Sequence, residues 1–271
     1  MDVSTGPATD SELALLTDSI RTAMSTYSGA RLDSALAELG WLDMLDEIPY
    51  TAVPLVFRLL GETGAHAPVL NDVVLRAAGR SAKGTVPLPY AGGSWVVWER
   101  TDQSSSALDE ETPIHPVAEG DVLPPAALAG GRRALGWWLV GSSRAMLSLA
   151  RQHALDRVQF GRPIASFQAI RHRLAETLVW IEGAEATLDA ATDDALACLL
   201  AKAAAGQAAF TAARHCQQVL GGIGFTAEHQ LHRHVKRALV LDGLLGSSQE
   251  LTREAGAILR DNGFAPRLAQ L

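Results

Sequence analysis

The chain has 271 residues, 48% apolar and 20% charged, enough for one large or two small domains with a sizeable core. Its net charge is −7 with no basic cluster on one face, which argues against a nucleic-acid partner. The two cysteines, Cys198 and Cys216, lie inside helical patterns at a spacing that suits neither a zinc site nor a disulfide framework. They are expected as buried thiols in a reducing, cytoplasmic setting. The opening MDVSTGPATD has no cationic start and no apolar run, so no signal peptide is expected. No unbroken apolar run of membrane-spanning length is found, so no membrane span is expected either.

Residues 1–10 read as a leader. Leu13, Leu15, Leu16, Ile20 and Met24 then recur at helical spacing and predict a helix from Ser11 to about Tyr27. A second runs from Arg31 to Leu39 and is stopped by Gly40; the apolar stretch Trp41–Leu45 follows. Pro54 to Gly61 and Ala67 to Gly79 predict two more helices with glycine stops. Residues 1–78 are therefore expected as a small helical domain. Over 79–125 Gly, Pro, Ser and Thr rise, and β-prone runs at Ser94–Glu99, near Ile114 and near Val122 predict a reduced β section. Residues 101–111, TDQSSSALDEE, read as an exposed loop.

Residues 126–271 are expected to be almost entirely helical. Helices are predicted over Arg132–Gln159, Ser166–Ala191, Asp193–Leu220 and Glu228–Leu241, with a last one capped by Ser247 and ending near Gly263. Short connections imply an up-and-down bundle, and the fold class is mostly α.

Three elements could carry chemistry. Arg157 lies beside a Gly-Arg-Pro turn with free backbone donors, suited to a pyrophosphate; a cation complementing a helix C-terminus is the plainer reading. Gln218–Phe225, with Gly221, Gly222 and Gly224, permits close approach to the backbone, or is simply a helix stop. Leu245-Gly-Ser-Ser-Gln249 opens a helix, where N–H groups attract anions or the hydroxyls only cap. His229, His232 and His234 do not form a facing set of metal ligands and read, with Arg233, Lys236 and Arg237, as a solvated basic stretch. No metal is expected. Arg132 and Arg133, cations at the expected start of a helix, suggest a functional or interface reason.

Taken in order, Arg-x-x-Phe-Gly-x-Pro-Ile-x-x-Phe-Gln at 157–168, Gln-x-x-Gly-Gly-x-Gly-Phe at 218–225 and Gly-Ser-Ser-Gln at 246–249 resemble the acyl-CoA dehydrogenase family. Leu36-Ala-Glu-Leu-Gly-Trp-Leu42 is similar to that family's N-terminal domain. The resemblance is good over 131–262 and fair over 11–79. It implies an N-terminal helical domain, a β middle domain and a C-terminal four-helix bundle. It also implies α,β-dehydrogenation of an acyl-CoA thioester, with a carboxylate base and FAD as hydride acceptor. Arg157, Phe160, Gln168, Gln218, Gly221 and Gly222 would then touch the ADP portion of a neighbouring subunit's FAD. Ser247, Ser248 and Gln249 would touch FAD as well, and Gly246 would border the substrate.

Two departures qualify this. The glutamate that usually precedes the Gly-Thr-Ser-Gln element is Leu245 here, and the alternative position, Ala129–Arg132, has no acid. Asp242 is the one substitute within a helical turn. The flavin-covering Thr-Glu-Pro and Trp-Ile-Thr elements are missing, and Trp95 and Trp98 lack the following Thr. The expectation is a non-catalytic subunit of a heteromeric, α2β2 bacterial enzyme acting on a bulky, steroid-type acyl-CoA. Such a subunit would share FAD with a full-length partner. The alternatives are a homomeric enzyme using Asp242 as base and a non-catalytic scaffold on the same fold.

Overall fold

A computed structural model describes residues 10–101 and 109–264; residues 1–9 and most of the 101–111 loop lie outside that description. Five helices come first: α1 (Asp10–Thr26), α2 (Gly29–Glu38), α3 (Trp41–Glu47), α4 (Pro49–Thr63) and α5 (Val69–Ala77). The Trp41 stretch left unassigned in the sequence is thus a helix of its own, and α4 starts five residues before Pro54, at Pro49. Proline at a first helical position keeps its fixed φ and forfeits an N–H that had no partner.

Strands β1 (Pro87–Tyr90), β2 (Ser94–Trp98) and β3 (Ile114–Val117) form one antiparallel sheet in that order. Two prolines hide β1 from a sequence reading, and an edge strand is where proline is tolerated. Val122, expected near a strand, is 90% exposed and belongs to none.

The long α6 (Pro125–Asp156) starts seven residues earlier than the apolar pattern suggested. Arg132 and Arg133 therefore sit two turns inside it, not at its dipole-bearing end. The hairpin β4 (Val158–Gln159) and β5 (Arg162–Pro163) leads to α7 (Gln168–Ala190), α8 (Ala195–Leu220), α9 (Leu231–Gly243) and α10 (Ser248–Asn262). Asp194 caps α8 by accepting from the Ala197 N–H at 2.6 Å. The stretch Ala195–Phe225 is long and apolar enough to cross a membrane, but 61% of its most apolar window is buried by protein. It is the central helix against which α6, α7, α9 and α10 pack. Its alanines let those neighbours come close.

One apolar cluster runs through all three sections. Trp41 on α3 meets Phe57 on α4 at 6.2 Å, Phe57 meets Trp138 on α6 edge-on at 5.6 Å, and Trp138 stacks on Trp98 of β2 at 5.4 Å. Gly141 lets α6 touch α4: a Cβ there would lie 2.1 Å from the Arg58 carbonyl oxygen. The fully buried Asp72 accepts from Trp41 Nε1 at 3.1 Å and pairs with Arg100, which fastens the sheet to the first helices.

Candidate functional site

Residues 157–168 do not simply end a helix. Val158 pairs with Pro163 and Gln159 with Arg162, leaving Phe160 and Gly161 as a two-residue turn with φ of 54° and 78°. Two positive φ values make the tight hairpin turn that matches strand twist. Glycine takes this conformation freely; phenylalanine does so at a cost of about 1–2 kcal/mol. The Phe160 ring is nonetheless 91% exposed, edge-on to Phe167 at 6.1 Å, and Arg162 lies over the Phe167 ring at 4.4 Å. Arg157 and Gln168 flank the hairpin with exposed side chains, and Arg157 forms no ion pair among the described residues.

The 218–225 segment borders the same small apolar cluster as this hairpin: Val219 and Leu220 pack with Ala154, Ile164 and Ala165. Gln218 is exposed, and a Cβ added at Gly221 or Gly222 would meet nothing within 4 Å. The shared cluster brings the hairpin and the 218–225 segment together, with Arg157, Phe160, Gln168, Gln218 and Gly222 exposed and Gly221 half-buried beside it. Guanidinium, amides and unobstructed backbone are the donor set a diphosphate takes, and these residues fit the ADP portion of FAD in chemistry and access.

The third element is elsewhere and is not open. Lys202 and Gly206 on α8 meet the α9–α10 turn, whereas Val219 meets the hairpin cluster. Thirteen helical residues separate Gly206 from Val219, about 20 Å. Around the turn nearly every polar group is engaged within the chain. The Leu245 N–H donates to the Pro89 carbonyl at 2.7 Å, and its carbonyl accepts from Arg132 Nε at 3.1 Å. The Gly246 carbonyl accepts from Lys202 Nζ at 2.6 Å. Ser247 and Glu250 form a reciprocal capping box for α10. Ser248 is buried and donates its N–H to Asp242 at 3.1 Å. Gln249 alone of this element is exposed.

Leu245 itself is 1% exposed with φ 57°, packed so closely that a Cβ on Gly131 would lie 2.5 Å from its Cδ1. Tyr90 of β1 covers Gly243 and bridges to Leu244, so the reduced sheet closes onto this turn. Asp242, weighed above as a substitute base, points inward. It is 5% exposed, lies against Gly206 and holds the N-terminus of α10 through Ser248. Burial raises its pKa above the ordinary carboxylate value, and Lys202 opposes that rise. This is the geometry of a structural cap.

Lys202 escaped the sequence reading, although a single cation inside LACLLAKAAAG was its signal. It is fully buried, donates to the carbonyls of Asp242 and Gly246, and burial pushes its pKa down to about 7. Two members of the basic stretch, His234 and Arg237, are not solvated; His229, His232, Arg233 and Lys236 stay half-buried. Arg237 is 1% exposed and binds Asp109, Glu111 and the carbonyls of Gly64 and Ala65; His234 is buried, which pushes its pKa down to about 4. An arginine with all these partners is a clasp between α9 and the segments at Gly64–Ala65 and Asp109–Glu111.

Residues 122–257 match the family described as acyl-CoA dehydrogenase, C-terminal domain. The acyl-CoA dehydrogenase IpdE2 of Mycobacterium tuberculosis is 40% identical over 116 residues, 42% of this chain and 36% of IpdE2. The same organism's acyl-CoA dehydrogenase FadE34 is 33% identical over 216 residues, 69% of this chain and 29% of FadE34. The chain thus matches about a third of the length of these relatives. Among solved structures, a variant of the Tcur3481–Tcur3483 steroid ACAD superposes with a TM-score of 0.73 at 18% identity, over 93% of this chain and 99% of that one. The ChsE4–ChsE5 complex of Mycobacterium tuberculosis superposes with a TM-score of 0.68 at 18% identity, over 98% of this chain and 100% of that one. Those likenesses carry the fold, here with a reduced middle section that has three strands among the described residues. From the matched domain, the two bundle motifs and this fold, the chain belongs to the acyl-CoA dehydrogenase family.

Proposed function

We propose that the chain is the non-catalytic subunit of a heteromeric, FAD-dependent acyl-CoA dehydrogenase. Arg157, Phe160, Gln168, Gln218, Gly221 and Gly222 bind the ADP portion of a FAD whose ring is held by a full-length partner subunit. When bound, FAD supplies the hydride acceptor for α,β-dehydrogenation of the acyl thioester. The residues of this chain grip a diphosphate and an adenosine, and they hold the cofactor from one side.

The observation that carries this reading is the contrast between the C-terminal end of α8 and the turn packed on its first half. The hairpin at the C-terminal end presents donors with no partner among the described residues and a strained, 91% exposed Phe160. The turn has a leucine in the place of the base, and most of its hydrogen-bonding groups are taken within the chain. A homomeric enzyme using Asp242 is disfavoured by that residue's burial and capping role. The resemblance to a steroid ACAD and to a two-component complex supports an α2β2 assembly acting on a bulky polycyclic acyl-CoA.

The test is flavin absorbance of the chain purified alone and after co-expression with a full-length acyl-CoA dehydrogenase-like partner. The expected result is colourless protein alone and a yellow complex that is reduced by acyl-CoA. Stoichiometric FAD in the isolated chain overturns the proposal. A partner complex with no flavin favours the scaffold reading.

A further inference from the structure

A cavity of about 380 Å³ lies between α3, α4, α5 and α6, with Thr192 and Asp193 of the loop before α8 on its lining. Its walls are mainly apolar, including Leu45, Val53, Val73 and Ala129, with the paired Asp46 and Arg76 and the Tyr50-bonded Asp193 also on the lining, and a size of this order is usual for small-molecule sites. Arg133 and Tyr50 form its polar end and separate it from a more polar cavity of about 560 Å³. The Arg133 guanidinium lies 5.7 Å from the centre of the Tyr50 ring.

Arg133 is the unusual member. It is 8% exposed, and its Nε donates to the Ala191 carbonyl at 2.7 Å. Its terminal nitrogens, four of its five N–H donors, have no hydrogen bond or ion pair among the described residues. The charged groups around it are otherwise occupied or distant. Asp193 accepts from the Tyr50 hydroxyl, Asp46 pairs with Arg76, and Asp189 acts on Arg133 only through space. A buried cation normally has a partner, because an uncompensated charge away from water is costly.

We infer that this cavity binds a small amphipathic carboxylate, its apolar body between α5 and α6 and its carboxylate on the free edge of the Arg133 guanidinium. Two parallel N–H···O contacts fit that edge. The site is independent of the flavin half-site, and neither Arg133 nor the cavity touches the 244–248 turn.

The experiment is calorimetric titration of the full chain with octanoate and, as a neutral counterpart, octan-1-ol. Octanoate is expected to bind one-to-one and at least tenfold more tightly than the alcohol. Arg133→Met is expected to weaken octanoate at least tenfold while leaving the alcohol unchanged. Ala126→Trp, a change at an exposed residue on the rim, is expected to block both. Equal binding of acid and alcohol, no octanoate binding at millimolar concentration, or full binding by Arg133→Met overturns the inference. If Arg133→Met fails to fold, retained octanoate binding by Ala126→Trp overturns it instead. Flavin retention with the partner subunit is a separate readout, so failure here leaves the proposed function standing.

Discussion

The Leu245 N–H donates to the Pro89 carbonyl at 2.7 Å, which joins the edge strand of the shortened middle section to the turn where a catalytic glutamate would stand. One hydrogen bond thus links the two departures from the family pattern. Among the described residues the leucine turn and the reduced sheet meet in a closed contact.

That closure makes restoring the acid unproductive. In Leu245→Glu a carboxylate replaces a side chain that is 1% exposed and packed on Gly131. Burying a charge there is expected to destabilise the chain by about 2–4 kcal/mol in urea unfolding. Acyl-CoA should still fail to bleach flavin through this subunit. A stable variant that reduces flavin with a catalytically dead partner would show that the turn is open after all.

Lys202 makes stability depend on pH in a defined direction. Its pKa falls on folding to about 7, from 10.5 in free lysine. Between those values the unfolded chain holds the proton and the native one does not, so this group makes stability rise with pH and contributes no slope below about 7. Asp242, whose pKa is raised, acts at acid pH, where stability falls as pH rises from 3.8 towards its folded value. Urea midpoints are expected to climb from pH 7 to 9. Lys202→Met should flatten that climb and lower stability overall, because the carbonyls of Asp242 and Gly246 lose their donor. An unchanged pH profile in the variant would remove Lys202 from this role.

Arg237 and Asp109 form a buried pair whose members should not be removed singly. Arg237→Met leaves Asp109, 3% exposed, without its partner. A loss of about 3–5 kcal/mol is expected, with a lower melting temperature measured by circular dichroism. Replacing both residues with apolar ones should recover part of that loss. If the double variant costs the sum of the two single variants, the pair is not coupled.

The hairpin surface is tested by its own residues. Arg157→Ala in the complex with a partner should leave the melting temperature of this chain nearly unchanged, since the side chain is exposed and unpaired among the described residues. FAD affinity should fall at least tenfold, the scale of about 1.4 kcal/mol or more for a charge-assisted contact to a diphosphate. Phe160→Gly should stabilise the isolated chain by relieving the left-handed strain, and weaken the complex. Unaltered flavin retention in both variants would place the ADP portion elsewhere.

The amino-acid sequence alone determined the helices with a continuous apolar stripe, the order of the bundle motifs and the absence of an acid at position 245. These are local or one-dimensional properties: a 3.6-residue period and a residue identity need no partner to be read. Tertiary structure decided what depended on distant chain segments. Lys202 meets Asp242 and Gly246 forty and more positions away, Arg237 meets Asp109 across 128, and β1 is a strand only because β2 pairs with it despite two prolines. Burial of a charge follows from what packs over it, so Arg237, which reads as solvated, became a buried clasp. In the same way the residues of Arg157–Gln168 are legible in the sequence, while the tight hairpin that presents Phe160 emerged only from the pairing of Val158 with Pro163.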